Sequence, residues 1–198
     1  MVRFVLVLES PWEDEKSYSV WPFVEGFSRA SEIEASYRSF FDSASFKHWI
    51  DVFRKHKRGR SGNLLYVAAH GSKGRIEGLG KSINKNTVVD TLKKARSFQY
   101  VHFGSCLFGQ ESNLEELLKT CRHIKWAAGY EKEVPWIQST LFDILFWERI
   151  RIRERDEEGR KFFTIVSDFI EKHSAWINEF GFRFAYRYGK EISCLPKA

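Results

Sequence analysis

The chain has 198 residues, 43% hydrophobic, 16% aromatic and 29% charged, enough apolar content to bury a core and too much for a disordered polyelectrolyte. Its 32 bases and 26 acids give a formal charge of +6, but the two signs interleave along most of the sequence, so the basicity does not mark a nucleic-acid binder. No apolar run approaches the roughly 18 residues of a membrane span, the start Phe4–Leu8 has no small-residue cleavage site behind it, and no Pro/Gly/Ser-rich linker divides the chain; the expectation is a cytoplasmic single domain over 1–198, its core in about 1–150 and its last helices and an edge strand in 151–198.

Residues 3–8 form a short apolar run rich in β-branched and aromatic side chains, closed by Glu9, Ser10 and Pro11, the pattern of a buried strand. A long serine- and tryptophan-rich excursion follows, with a short helix expected near Ser31–Phe41. Phe46, Trp49, Ile50 and Phe53 recur at helical spacing. Residues 63–69 are a second strand-length apolar run, stopping at His70-Gly71; residues 98–103 are a third, stopping at Gly104-Ser105-Cys106; residues 123–128 are a fourth, stopping at Gly129. Helical patterns fill the gaps, one with Val88, Val89, Leu92 and Ala95 on a face, the next opened by Ser112 and Glu115 at capping-box spacing. Continuous apolar strands alternating with helices predict a mostly parallel sheet covered on both faces, a three-layer α/β/α sandwich. Further helices are expected over 136–152 and 162–180, separated by a charged, solvated turn, and the alternation of Phe182, Phe184, Tyr186 and Tyr188 predicts a half-buried edge strand. The glycine-rich segment Gly74–Gly80 reads as a short hairpin or flap.

In an open parallel sheet the chemistry collects beyond the carboxyl ends of the strands. The second run delivers His70 to that edge and the third delivers Cys106, each beside glycine. A thiol nucleophile needs a base or imidazolium to raise its thiolate fraction, and histidine titrates nearest working pH. His70 and Cys106 are that candidate pair, and the backbone N–H groups of Gly71 and Cys106 are candidate donors to an oxyanion. Cys121 and Cys194 are expected to be structural, as three cysteines without a CxxC or CxxH pair form neither a disulfide framework nor a zinc site. His102, inside the third run, is expected to be a satisfied interior histidine.

These elements resemble the caspase-like cysteine peptidases, and CHAT-type and other compact bacterial members more than animal caspases. The likeness rests on YVAAHG at Tyr66–Gly71, VHFGSC at Val101–Cys106, WAAGYEKEVPW at Trp126–Trp136 and STLFDILFW at Ser139–Trp147. It implies a Cys106–His70 dyad, with Gly71 helping to bind the oxyanion, in an endopeptidase that needs no cofactor and acts on a protein or peptide, activated by a partner protein or a bound signal in prokaryotic defence or programmed cell death. Family members often take a specificity residue from the end of the first strand, which makes Glu9 the candidate here, favouring a basic residue before the cut. The nucleophile lacks the Gln-Ala-Cys-x-Gly surroundings of animal caspases, so cleavage after aspartate is not implied. The alternative reading is a catalytically silent module that binds a partner through the same crevice.

Overall fold

A computed structural model describes residues 2–11, 18–56, 62–79, 81–152 and 162–196. In chain order the first elements are β1 (Phe4–Glu9), α1 (Trp21–Ala30), β2 (Glu34–Ser39), α2 (Ser43–His56), β3 (Asn63–Ala68), β4 (Gly71–Ser72), β5 (Arg75–Glu77), β6 (Ser82–Asn84) and α3 (Lys85–Lys94). They are followed by β7 (Phe98–Phe103), α4 (Glu111–Thr120), β8 (Trp126–Tyr130), α5 (Trp136–Ile152), α6 (Phe162–Lys172), α7 (Ser174–Phe180), β9 (Phe182–Tyr188) and β10 (Glu191–Leu195).

Seven strands form one sheet in the order β10-β9-β8-β7-β3-β1-β2. From β8 to β2 all neighbours are parallel, while β9 and β10 add as antiparallel strands. Every residue of β1, β3 and β8 is buried, because helices cover both faces. Alternate side chains of β1 divide between two cores: Phe4, Leu6 and Leu8 pack with residues of α2, α3 and α4, and Val5 and Val7 with residues of α1, α5, α6 and α7. This is the three-layer α/β/α arrangement that the continuous apolar runs demand.

Several local expectations are corrected. Residues 34–39 form a strand, not a short helix: EASYRS pairs with all six residues of β1, and as an edge strand it carries polar side chains toward water, which removes the apolar run that would have announced it. Helix α1 lies in what reads as an excursion. The fourth central strand starts at Trp126, after a turn in which the Ile124 N–H meets the Cys121 carbonyl, and runs through Gly129 to Tyr130. Helix α4 begins at Glu111 without a side-chain cap, so Ser112 and Glu115 make no capping box; Asn113 instead donates to the Phe108 carbonyl at 3.0 Å. Residues 162–180 break at His173 into α6 and α7, and β9 is not the sheet edge because β10 lies outside it. The glycine-rich flap belongs to the antiparallel sheet β4-β5-β6. The solvated turn read between α5 and α6, from 153 to 161, and the basic residues Lys57, Arg58 and Arg60 lie outside the described residues.

Helix α5 is apolar all round, yet its faces are unequal. Phe142 is fully buried against the rings of Phe169, Trp176, Phe180 and Phe182, whereas its neighbour Leu141 is 46% exposed. Phe142→Ala is expected to lower unfolding stability by about 3–5 kcal/mol and Leu141→Ala by no more than about 0.5 kcal/mol, measured by urea denaturation.

Candidate active site

The neighbouring parallel strands β3 and β7 end side by side, and the Gly104 N–H extends their ladder to the Val67 carbonyl at 2.9 Å. The chain then delivers His70-Gly71 from one strand and Ser105-Cys106 from the other. These two loops touch. A Cβ built on Gly71 would overlap the Cys106 carbonyl oxygen and sit 3.0 Å from Ser105 Cβ, so only glycine lets the backbones approach this closely. His70 is exposed and Cys106 half-buried. The sulfur of Cys106 accepts the Val134 N–H at 3.4 Å, which aims it at the segment between β8 and α5.

The backbone around the pair is set for donation. The Glu77 N–H meets the His70 carbonyl at 2.8 Å, making His70 and Glu77 a hydrogen-bonded pair. Gly71 and Ile76, the next pair, are therefore a non-hydrogen-bonded one, and the Gly71 N–H points away from the hairpin. Beyond the cysteine, Leu107 takes a left-handed φ of 60° inside a three-residue turn closed by the Phe108 N–H on the Cys106 carbonyl at 2.7 Å. A leucine there costs of order 1–2 kcal/mol, and such strain concentrates at functional sites. Composition carries no signal for it.

Glu9 ends β1, one strand beyond β3 on the same edge. It is 2% exposed, and its carboxylate accepts the Ser19 hydroxyl at 2.5 Å and the Val20 N–H at 2.8 Å. Both oxygens thus hold the chain entering α1. The structure brings the backbone of Gly71, the residue after His70, against Ser105 and Cys106; the Glu9 carboxylate is spent on Ser19 and Val20.

Beneath the cysteine loop lies a polar cluster that the sequence reading missed. Asp143 of α5, fully buried, accepts the Tyr66 hydroxyl at 2.7 Å and a short hydrogen bond from Tyr130. His102 Nε2 lies 2.8 Å from Asp143 Oδ1, an oblique contact and not an aligned hydrogen bond. Trp147 donates to His102 Nδ1 at 2.8 Å; because indole only donates, Nδ1 is unprotonated and the ring proton sits on Nε2, facing Asp143. Burial first, then the Asp143 charge, pushes both tyrosines well above their ordinary range, so they remain donors. The available signal was an aspartate within the apolar run LFDILFW and a histidine within a buried strand, groups that can be buried together only as partners.

The other thiols differ from Cys106. Burial pushes Cys121 up to about 11 and Cys194 up to about 12. Among the described residues no three His, Cys, Asp or Glu side chains gather as a metal site, and no helix is long and apolar enough to cross a membrane.

No family model matches the chain, and no curated protein matches it. Among solved structures, a secreted C11 cysteine protease from Bacteroides thetaiotaomicron, in complex with an irreversible peptide inhibitor, is similar over 69% of this chain and 51% of its own, with 10% identity and a TM-score of 0.45. This chain spans about half the length of that protease.

Iodoacetamide at pH 7.5 should label Cys106 first, while Cys121 and Cys194 react only above about pH 9 or after unfolding, since access and thiolate content set the rate. Peptide mapping by mass spectrometry reads the order directly. Gly71→Ala should force the two loops apart and lower stability by about 1–3 kcal/mol, seen as a reduced urea midpoint.

Proposed function

We propose that this chain is a caspase-like cysteine endopeptidase in which Cys106 is the nucleophile and His70 its acid–base partner. The observation that carries the reading is the contact of the Gly71 backbone with the Cys106 carbonyl, which puts a half-buried thiol and an exposed imidazole on touching loops at the carboxyl edge of a parallel sheet. The family resemblance of the four sequence segments supports the same roles.

The thiolate of Cys106 attacks a peptide carbonyl carbon, forming a C–S bond and pushing an electron pair onto oxygen. The N–H groups of Gly71 and Cys106 receive that oxyanion. As the C–N bond breaks, His70 gives its proton to the departing amine; water, deprotonated by His70, then cleaves the thioester and restores the thiol. Each step draws only on protein groups and water, so no cofactor enters it. Glu9 holds Ser19 and Val20 at the strand edge, and the preference for a basic residue before the cut rests on the resemblance alone. Cysteine usage and chain length favour a cytoplasmic setting and a single domain, and from the resemblance alone we assign activation by a partner protein or bound signal in prokaryotic defence or programmed cell death.

The test is a peptide-library digestion, with cleavage sites read by mass spectrometry, for the wild type, Cys106→Ala, His70→Ala and the double variant, each with and without a lysate fraction as a source of activator. Cys106→Ala should abolish cleavage, His70→Ala should lower it about 10²–10⁴-fold, and the double variant should be no worse than Cys106→Ala because the pair acts as a unit. Full cleavage by Cys106→Ala would defeat the reading. A folded wild type that binds partners but never cleaves would move it to the silent interaction module.

A further inference from the structure

We propose that Asp143 is a positioning residue: its carboxyl group, accepting from Tyr66 and Tyr130 and in contact with His102, holds the first turns of α5 on the strand ends so that the Val134 N–H meets the Cys106 sulfur. The proposal deepens the peptidase reading and rests on it for the role of Cys106 as nucleophile.

Every group facing Asp143 is a donor. Tyr66 comes from β3, His102 from β7 and Tyr130 from β8, so one carboxylate on α5 gathers three adjacent strands. From Asp143 a short series of contacts leads toward the segment beside the cysteine. The Tyr130 hydroxyl lies 3.2 Å from the Ser139 carbonyl; the Ser139 N–H reaches the Pro135 carbonyl at 3.0 Å; and the Ser139 and Thr140 hydroxyls both return to the Trp136 carbonyl, at 3.1 and 2.8 Å. The turn that starts α5 is thus fixed on both sides, and Val134 precedes it by two residues. The cluster also touches the cysteine loop from below. The Tyr66 hydroxyl occupies the space of a side chain at position 104, where a Cβ would lie 2.5 Å from it.

A donor aimed at sulfur favours the anionic form, so a shift of Val134 slows the chemistry of Cys106 without closing access to it. Cys121 and Cys194 belong to the core on the opposite face of the sheet and report global opening. Phe142, the residue before Asp143, packs only through rings and serves as the control for mere loosening of α5.

The experiment measures iodoacetamide labelling rates at all three cysteines in the full chain for the wild type, Asp143→Asn, Tyr66→Phe and Phe142→Ala, with circular dichroism to verify the fold. Asp143→Asn should slow Cys106 about tenfold and Tyr66→Phe by a smaller factor in the same direction, with Cys121 and Cys194 unchanged; Phe142→Ala should leave Cys106 within about twofold although it is the less stable protein. If Asp143→Asn does not fold, Tyr66→Phe alone decides. An unchanged Cys106 rate in the folded network variants, or an equal slowing in Phe142→Ala, overturns the proposal. No peptide substrate is used, so absence of proteolysis in the digestion test would defeat the peptidase reading and leave this result standing on its own.

Discussion

A carboxylate with no route to water determines how the second helical layer sits on the sheet. Burying a polar carboxyl group without hydrogen-bond partners costs several kcal/mol, so Asp143, fully buried, tolerates only an arrangement in which its oxygens find such partners. Two hydroxyls donate to it, Tyr66 of β3 and Tyr130 of β8, and His102 of β7 lies in contact. Apolar contacts of α5 with Phe169, Phe180 and Phe182 supply area and little direction, since hydrophobic burial is roughly proportional to area and not to angle. The polar cluster supplies the register: sliding α5 by one turn along the sheet would preserve most of the area and strand the charge.

The same strands set the crevice. Parallel pairing of β3 with β7 brings both carboxyl ends to one edge, and each chain then needs to turn away without a collision. Glycine does this at 71, where a side chain would overlap the Cys106 carbonyl, and at 104, where the Tyr66 hydroxyl fills the volume. A third close approach joins Gly109 to the backbone of Gly129 and Tyr130, with the Gly109 N–H on the Tyr130 carbonyl at 2.9 Å. Together these contacts confine the six residues from Gly104 to Gly109 between two strands, so the thiol is presented by a loop with little freedom.

What the sequence revealed follows from where water is. Strands buried on both faces read as unbroken apolar runs, which is why 63–68 and 98–103 were legible nearly to the residue, and the run stops marked His70 and Cys106. The edge strand β2 gave no such run, because Tyr37 and Arg38 partly face solvent, and the broken helix at His173 kept helical spacing on both sides of its break. Glu9 was legible as a strand-end acid but not as a buried one, since its partners, Ser19 and Val20, lie 10 and 11 residues on in a segment of weak pattern. The Asp143 cluster was hidden for a related reason. Its members are 13 to 77 positions apart in the bonded pairs, Tyr130 with Asp143 being the shortest and Tyr66 with Asp143 the longest, and no local period connects them.

The left-handed Leu107 shows how the confinement of this loop is used. A non-glycine residue keeps such a φ only when its surroundings leave no alternative. Here the N–H of Leu107 is held by the Lys132 carbonyl at 3.3 Å, the next N–H closes the turn on Cys106, and Gly109 is locked to Tyr130. Phe108, 2% exposed, is packed against Phe103 at 4.6 Å between ring centroids, so the chain cannot relax by rotating that side chain out. The strain is thereby maintained by β8 and its following loop, the same segment whose Val134 N–H meets the sulfur. Anything that moves that segment acts on Cys106 twice, through the donor at the sulfur and through the backbone conformation that carries it. A loop held this way responds to any shift of the β8–α5 connection, through Val134 at the sulfur and Lys132 at the Leu107 N–H.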